Sequence, residues 1–174
     1  LSLPAWSFLA SLQHPVTGGF LTEGPEASLD DEQDMLSTAA AALAALYMGQ
    51  EQAAVAAGRF LVNLWDTQPA PASRMYLAVR RGMEHVRVYE GLDEQYVLAL
   101  GHPNQWYFVP GLAAGVLVRL WEVTGADDFL RTAPDGRGIV GGDWYDAFVT
   151  STGLLALVLG DIAGHELRAA AAMA

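Results

Sequence analysis

Two alanine-rich segments joined at Gly49 constrain the fold most strongly. We predict one helix over residues 35–48 and another over 51–66, where apolar residues recur at helical spacing. Alanine has the highest helix propensity, and a glycine after a helix readily adopts the left-handed conformation that ends it. Asp34 or Ser37 is the expected cap of the first helix. We therefore predict a helical hairpin here.

The same order of helix, glycine and helix is predicted twice more, around Gly125 and Gly164. The junction glycines lie roughly 39 residues apart, or twice that, which is typical of helical repeats. The further helices are predicted over residues 4–13, 111–123, 127–132, 147–162 and 166–172. The chain is thus predicted to be dominated by α-helices.

One stretch between the helices is rich in β-branched and aromatic residues instead. Three short runs with strand propensity cover residues 75–79, 85–89 and 95–100, and Gly82 and Gly91 fall between them. Short runs of this composition, separated by turn residues, are typical of antiparallel strands. We therefore predict a small β-meander inserted around residues 75–100.

Residues 8–20, which read FLASLQHPVTGGF, resemble the QW-type repeat of terpenoid cyclases. In that repeat an aromatic and an aliphatic residue are followed by Gln and then by Gly-x-Trp, and Phe20 takes the place of Trp here. The resemblance implies that Gln13 ends one helix and bonds to the next turn, with the aromatic residue stacked on it, so that together they fix the hairpin corner. This is a structural role. Together with the hairpins, the resemblance implies an (α/α) toroid of the terpenoid cyclase and prenyltransferase superfamily, with no single family assignable.

The length of the chain limits how much of a toroid it can form. A closed toroid needs about twelve helices and ~300 residues at this repeat length. The chain has 174 residues, so we expect one toroid-like domain over residues 1–174 that is a fragment or an incomplete barrel. A second chain, or further copies in a homo-oligomer, would complete the ring.

Charge and composition narrow the class of partner. The 9 Lys and Arg against 20 Asp and Glu give a net charge of −11, which argues against nucleic acid and anionic membrane surfaces. The lack of cysteine excludes thiol catalysis and Cys-ligated zinc. No apolar run reaches the ~18 residues of a membrane span. Cytoplasm is the default location, and we expect the partner to be a small-molecule substrate.

The acidic run over residues 30–34 is the main candidate for catalysis. DDEQD fits the DDxxD pattern that holds Mg²⁺ in class I terpene synthases, but carboxylates before a helix are ordinarily caps that complement its dipole. No second metal motif accompanies it, so we expect neither metal nor cofactor. Asp34, nearest the helix, is the candidate acid if burial raises its pKa, and Asp30 and Asp31 are further candidates. His102 is a candidate general acid or base, or else a structural histidine.

Aromatic side chains form a second group of candidates. Such rings either line a cavity, where they stabilise a cation or stack on a sugar, or belong to the core. The candidates for substrate binding are Trp65, Tyr76, Tyr89, Gln105, Trp106, Tyr107, Trp144 and Tyr145. The pairs at 106–107 and 144–145 are favoured because they are expected in loops that precede helices.

Three functions are compatible with these residues. The lack of nucleophile and redox motifs favours an acid–base enzyme, a cyclase, isomerase or lyase acting on a small, largely apolar terpenoid-like or polyketide-like molecule. A carbohydrate-active enzyme, either a sugar epimerase or a glycosidase, is the first alternative. A non-catalytic helical-repeat interaction module, in which the aromatic residues bury a partner, is the second.

Overall fold

Helices and short strands alternate along the chain in the computed structural model. The described residues are 3–22, 28, 30–69, 73–86, 96–99, 105–106, 108–131, 143–149 and 155–161. The helices are α1 (Leu3–Ser11), α2 (Met35–Tyr47), α3 (Glu51–Asp66), α4 (Phe108–Thr124) and α5 (Asp128–Arg131). The strands are β1 (Gln33–Asp34), β2 (Arg74–Tyr76), β3 (Ala78–Arg80), β4 (Glu84–His85), β5 (Val97–Ala99), β6 (Asp143–Val149) and β7 (Leu155–Asp161). The chain divides into two units, Leu1–Ala133 and Pro134–Ala174.

The prediction of an α-dominated toroid or partial toroid of helical hairpins is wrong. The described part of the first unit is mixed α/β, with five helices and two small antiparallel sheets. Strand β1 forms inside the acidic run, where the sequence predicts only a loop. Its two residues pair with β3, which lies more than forty residues away in the chain. No local sequence pattern therefore predicts β1.

The helix predicted over residues 147–162 is also wrong. Strands β6 and β7 form an antiparallel hairpin in the second unit, in which Asp143 pairs with Asp161 and Val149 with Leu155. The continuous apolar run over residues 154–159 suits a strand as well as a helix, so periodicity does not decide between them. The third helical repeat is lost with it, and the helix predicted over 166–172 lies outside the described residues.

The hairpin of α2 and α3 is confirmed, and its turn explains why. Gly49 has a φ of +67°, and its N–H donates to the Leu46 carbonyl at 3.1 Å. The N–H of Gln50 donates to the Ala45 carbonyl at 2.8 Å. These two bonds form a Schellman motif, which satisfies the last carbonyls of α2 and turns the chain into α3.

Helix α4 is likewise confirmed and begins three residues earlier than the sequence predicts. Pro110 lies in its first turn, where a missing N–H costs no helical hydrogen bond. Gly125 has a φ of +68°, and its N–H donates to the Trp121 carbonyl at 2.7 Å. Local chemistry therefore sets both ends of this helix, which packs against α2 and α3.

The corner after α1 has the structural role that its sequence implies. The Gln13 side-chain Nε2 donates to the Gly18 carbonyl at 3.0 Å and to the Ala53 carbonyl of α3 at 2.9 Å. The Nδ1 atom of His14 accepts hydrogen bonds from the N–H groups of Val16 and Thr17. The corner is thereby fixed to α3, and these side chains serve the fold.

The core of the first unit lies between α2, α3, α4 and the two sheets. Its largest fully buried side chains are Phe20, Phe60, Met35, Leu61, Leu64, Leu77, Leu98, Leu120, Gln33, Val79, Val109 and Val116. No helix within the described ranges is long and apolar enough to cross a membrane.

The segment of residues 74–80 organises both sheets of the first unit. Its first half, β2, pairs with β5, whereas its second half, β3, pairs with β1 and β4. The β3–β4 hairpin is part of the predicted meander, but β5 returns to β2 instead of extending from β4. The meander prediction is therefore correct in its antiparallel strands and wrong in their order.

Candidate functional site

Leu77, the residue between β2 and β3, forms backbone hydrogen bonds both with the residue before β5 and with the first residue of α2. The Leu77 N–H donates to the Tyr96 carbonyl at 2.7 Å, and the Leu77 carbonyl accepts from the Met35 N–H at 2.8 Å. The N–H and C=O of one strand residue point to the same edge of the strand. The N-terminus of α2 and the start of β5 therefore lie end to end along one edge of the segment.

Side chains of this segment alternate between two faces. Met75, Leu77 and Val79 belong to the main core. Tyr76 and Ala78 point the other way by strand alternation. Both are buried, at 7% and 0% exposed, although neither belongs to that core cluster. We call this second side of the segment the Tyr76 face.

Asp34 lies on the Tyr76 face. It pairs directly with Ala78, which makes Tyr76 its diagonal neighbour. Diagonal neighbours in an antiparallel pair are about 7–8 Å apart, within reach of an aromatic side chain. Val97 pairs with Tyr76 on the same face. Asp34, Tyr76, Ala78 and Val97 constitute the candidate site.

The carboxyl group of Asp34 is both buried and held in place. Its side chain is the N-cap of α2, where Oδ1 accepts the Ser37 N–H at 2.7 Å. Burial raises the pKa of this carboxyl above its ordinary value of 3.8, and its hydrogen bonds with Ser37 oppose that shift. The charge of Glu32 adds to the rise. Asp34 therefore holds its proton to higher pH than an exposed aspartate.

The rest of the acidic run does not converge on Asp34 as a metal site would. Asp30 is exposed, Asp31 Oδ2 accepts the Ser28 N–H at 2.5 Å, and Glu32 forms an ion pair with Arg80 at 2.7 Å. Across the part of the chain that the structure describes, no three His, Asp or Glu side chains form a metal-binding group. Of the predicted acids, only Asp34 lies in the candidate site.

Most of the predicted binding residues have other places in the structure. Trp65 and Trp106 are half-buried against the core, and Trp106 precedes α4 as predicted, with its ring 5.8 Å from that of Phe108. Gln105 Oε1 accepts the Ala99 N–H at 3.0 Å, which fixes the end of β5. Among the described residues, Tyr76 is therefore the one predicted aromatic that the strand register puts on the same face as Asp34. Its ring lies 6.0 Å from that of His85.

Five further predicted residues lie elsewhere or outside the described residues. Trp144 and Tyr145 are in strand β6, paired with Gly160 and Leu159, so their predicted place in a loop before a helix is wrong. The remaining predicted residues lie outside the described residues: Tyr89, His102 and Tyr107.

Gln68 is a supporting residue that the sequence does not reveal. Its Oε1 accepts the Tyr76 N–H at 2.7 Å, and its Nε2 donates to the Tyr76 carbonyl at 2.9 Å and to the Leu64 carbonyl at 2.9 Å. The side chain thus takes the place of a neighbouring strand on the free edge of Tyr76. Only the fold brings the end of α3 beside β2, so no local pattern signals this contact.

The pH dependence of stability distinguishes the two roles of Asp34, as the N-cap of α2 and as a carboxyl group with a raised pKa. Because the Asp34 pKa is raised above 3.8, the folded state binds this proton more tightly than the unfolded chain. The stability gained from binding this proton is fully present below the pKa that Asp34 has in the unfolded chain. It is lost as the pH rises through the pKa that Asp34 has in the folded state. Asparagine caps a helix as well as aspartate and carries no charge. We therefore expect Asp34→Asn to be at least as stable as the wild type at neutral pH.

Urea unfolding at several pH values measures this effect. The advantage of Asp34→Asn over the wild type should shrink as the pH falls to about 4 and Asp34 becomes protonated. Asp34→Ala is the matched control, because it loses the cap and should cost about 1 kcal/mol. A wild type that gains stability over Asp34→Asn as the pH rises would contradict the raised pKa.

Comparisons with protein-family models, with curated proteins and with solved structures each found no match to this chain. The functional interpretation therefore depends on the geometry of the candidate site.

Proposed function

We propose that this domain is an enzyme that uses Asp34 as a proton donor in the cyclisation or isomerisation of a small, largely apolar molecule. The observation that carries the proposal is the buried Asp34 carboxyl group on the Tyr76 face, with its pKa raised by burial. A carboxylic acid that keeps its proton at higher pH is a better general acid under ordinary conditions. The cap bond to Ser37 also fixes its orientation.

The neighbours of Asp34 support a substrate with little charge. Ala78 and Val97 are aliphatic, and the Tyr76 ring can stabilise a positive charge that develops on a protonated substrate. Arg80, which the register puts on the same face as Asp34, is engaged by Glu32 at 2.7 Å. A chain with a net charge of −11 is also poorly suited to polyphosphate groups.

Proton transfer from Asp34 can be followed in D₂O without knowing the natural substrate. The probes are acyclic isoprenoid alkenes and enolisable ketones, in which the deuteron is delivered to carbon and is retained, and mass spectrometry measures the deuterium incorporated. We expect the wild type to incorporate deuterium into at least one probe. Asp34→Asn should slow this by about 100-fold or more, because general acid catalysis typically contributes that much.

Asp66→Asn is the matched control, since Asp66 is an exposed aspartate at the end of α3. Its rate should equal that of the wild type. An Asp34→Asn variant as fast as the wild type would exclude Asp34 as the donor. A wild type no faster than buffer on every probe class would count against the enzyme itself.

An interaction module is the second candidate, because α4 exposes apolar side chains. Phe108, Val118 and Trp121 are 42%, 43% and 36% exposed, and residues 108–118 carry no charge. A helix that is apolar on all sides is normally covered. Sedimentation of the purified chain tests whether a second copy covers it. Self-association that Val118→Asp abolishes would support this candidate, and a monomer at all concentrations would reject that self-association.

A further inference from the structure

An ion pair lies next to Asp34 on the Tyr76 face. The register pairs Asp34 with Ala78 and Gln33 with Val79, so Glu32 comes opposite Arg80. The Arg80 Nη2 is 2.7 Å from Glu32 Oε1, and the two side chains are 41% and 15% exposed. Arg80 is thus the diagonal neighbour of Asp34 on the side away from Tyr76.

We propose that Glu32 is a positioning residue, which holds Arg80 in an ion pair and thereby keeps Asp34 able to carry a proton. The inference rests on the proposed function, in which Asp34 is the proton donor. The proton on Asp34 can nevertheless be measured without any substrate.

The physical reason is the competition between two carboxyl groups for one cation. A guanidinium within about 4–6 Å of a carboxyl group favours its ionised form. Glu32 lies directly opposite Arg80, where an oppositely charged pair has its best cross-strand geometry. Its own negative charge also opposes the ionisation of Asp34. With Glu32 present, the cation is engaged and the local field favours a protonated Asp34.

The other elements around Asp34 bring few competing charges. Helix α2 carries no charged residue, and β5 contributes only Val, Leu and Ala. On β4, Glu84 pairs with Arg80 from the other edge and is exposed. On β2, Arg74 is exposed at the far end of the segment, beyond Tyr76. His85, the other residue of β4, has its ring 6.0 Å from that of Tyr76. Burial is the largest cause of the raised Asp34 pKa, and Glu32, the partner of Arg80, is the charged group that adds to it.

Titration of the Asp34 side-chain carbon by NMR, in the full chain, tests this proposal. In Glu32→Gln the freed Arg80 should turn to Asp34 and lower the titration midpoint by about one pH unit. In Arg80→Gln the unpaired charge of Glu32 should raise the midpoint instead. The double variant, which has neither charge, should lie between the two single variants.

The two single variants break the same ion pair, so a merely structural role would shift both midpoints in the same direction. Shifts in the same direction, or no shift in either variant, would overturn the proposal. If Glu32→Gln does not fold, Arg80→Gln decides alone, because only a raised midpoint agrees with the proposal. Opposite shifts without Asp34-dependent deuterium incorporation would uphold the ion-pair inference and reject the proposed function.

Discussion

Replacing Gly18 with alanine is expected to cost the first unit about 3–5 kcal/mol, since overpacking and backbone strain add at this position. Gly18 has a φ of +82°, and a Cβ there would lie 2.3 Å from the Ala56 carbonyl oxygen and 2.7 Å from its carbon. These atoms belong to the backbone of α3, which cannot move aside without losing helical hydrogen bonds. The expected loss is a large part of the ~5–15 kcal/mol that stabilises a typical domain. Urea unfolding followed by circular dichroism measures it.

Gly49→Ala is the matched control for Gly18→Ala. Gly49 also has a positive φ, +67°, but a Cβ there would meet nothing within 4 Å. This variant should therefore lose only the conformational advantage of glycine, about 1 kcal/mol. Equal losses in the two variants would show that the close approach of the corner to α3 is unimportant.

Phe60→Ala is expected to destabilise the first unit by about 3–5 kcal/mol, as is usual for a phenylalanine removed from a packed core. Phe60 is 1% exposed, and its ring lies against Gly19, where an added Cβ would be 2.6 Å from Cδ2 and Cε2. Removal of the ring leaves a cavity beneath the corner that joins α1 to β1. Thermal and urea unfolding give the change in free energy.

Phe60→Leu is the control for the size of that cavity. It keeps an apolar side chain and should recover more than half of the stability lost in Phe60→Ala, because the residual cavity is smaller. A loss below about 1 kcal/mol in Phe60→Ala would mean that the corner is not packed on this ring.

The helices of the first unit can be predicted from the sequence because their ends depend on neighbouring residues. Asp34 caps α2 through a bond to the residue three positions later, and Gly49 ends α2 within its own turn. Because these capping residues lie within a few positions of the helix ends, a single sequence is enough to predict those ends.

The sheets could not be predicted in the same way, since their pairing depends on residues distant in the chain. Strand β1 has two residues and its partner β3 begins at Ala78. In the second unit, the apolar run that forms β7 was equally compatible with a helix. Local sequence patterns therefore did not predict these two strands.

The sequence predicted Asp34 and Tyr76 as candidate site residues, but it did not predict that they share one face of the sheet. The position of Asp34 before a helix marked it as the best acid in the run, and Tyr76 was one of several aromatic candidates. Their diagonal placement depends on the β1–β3 register. The same register places Glu32 opposite Arg80. Their ion pair therefore also depends on β1, which no local sequence pattern predicts.

The protonation of Asp34 is the most direct test of its proposed role as an acid. NMR titration of the Asp34 side-chain carbon in the wild-type chain gives the midpoint without any assumption about substrate. A buried proton donor should titrate above the ordinary value of 3.8. A midpoint at or below 3.8 would mean that the hydrogen bonds with Ser37 outweigh burial. Asp34 would then be an ordinary helix cap.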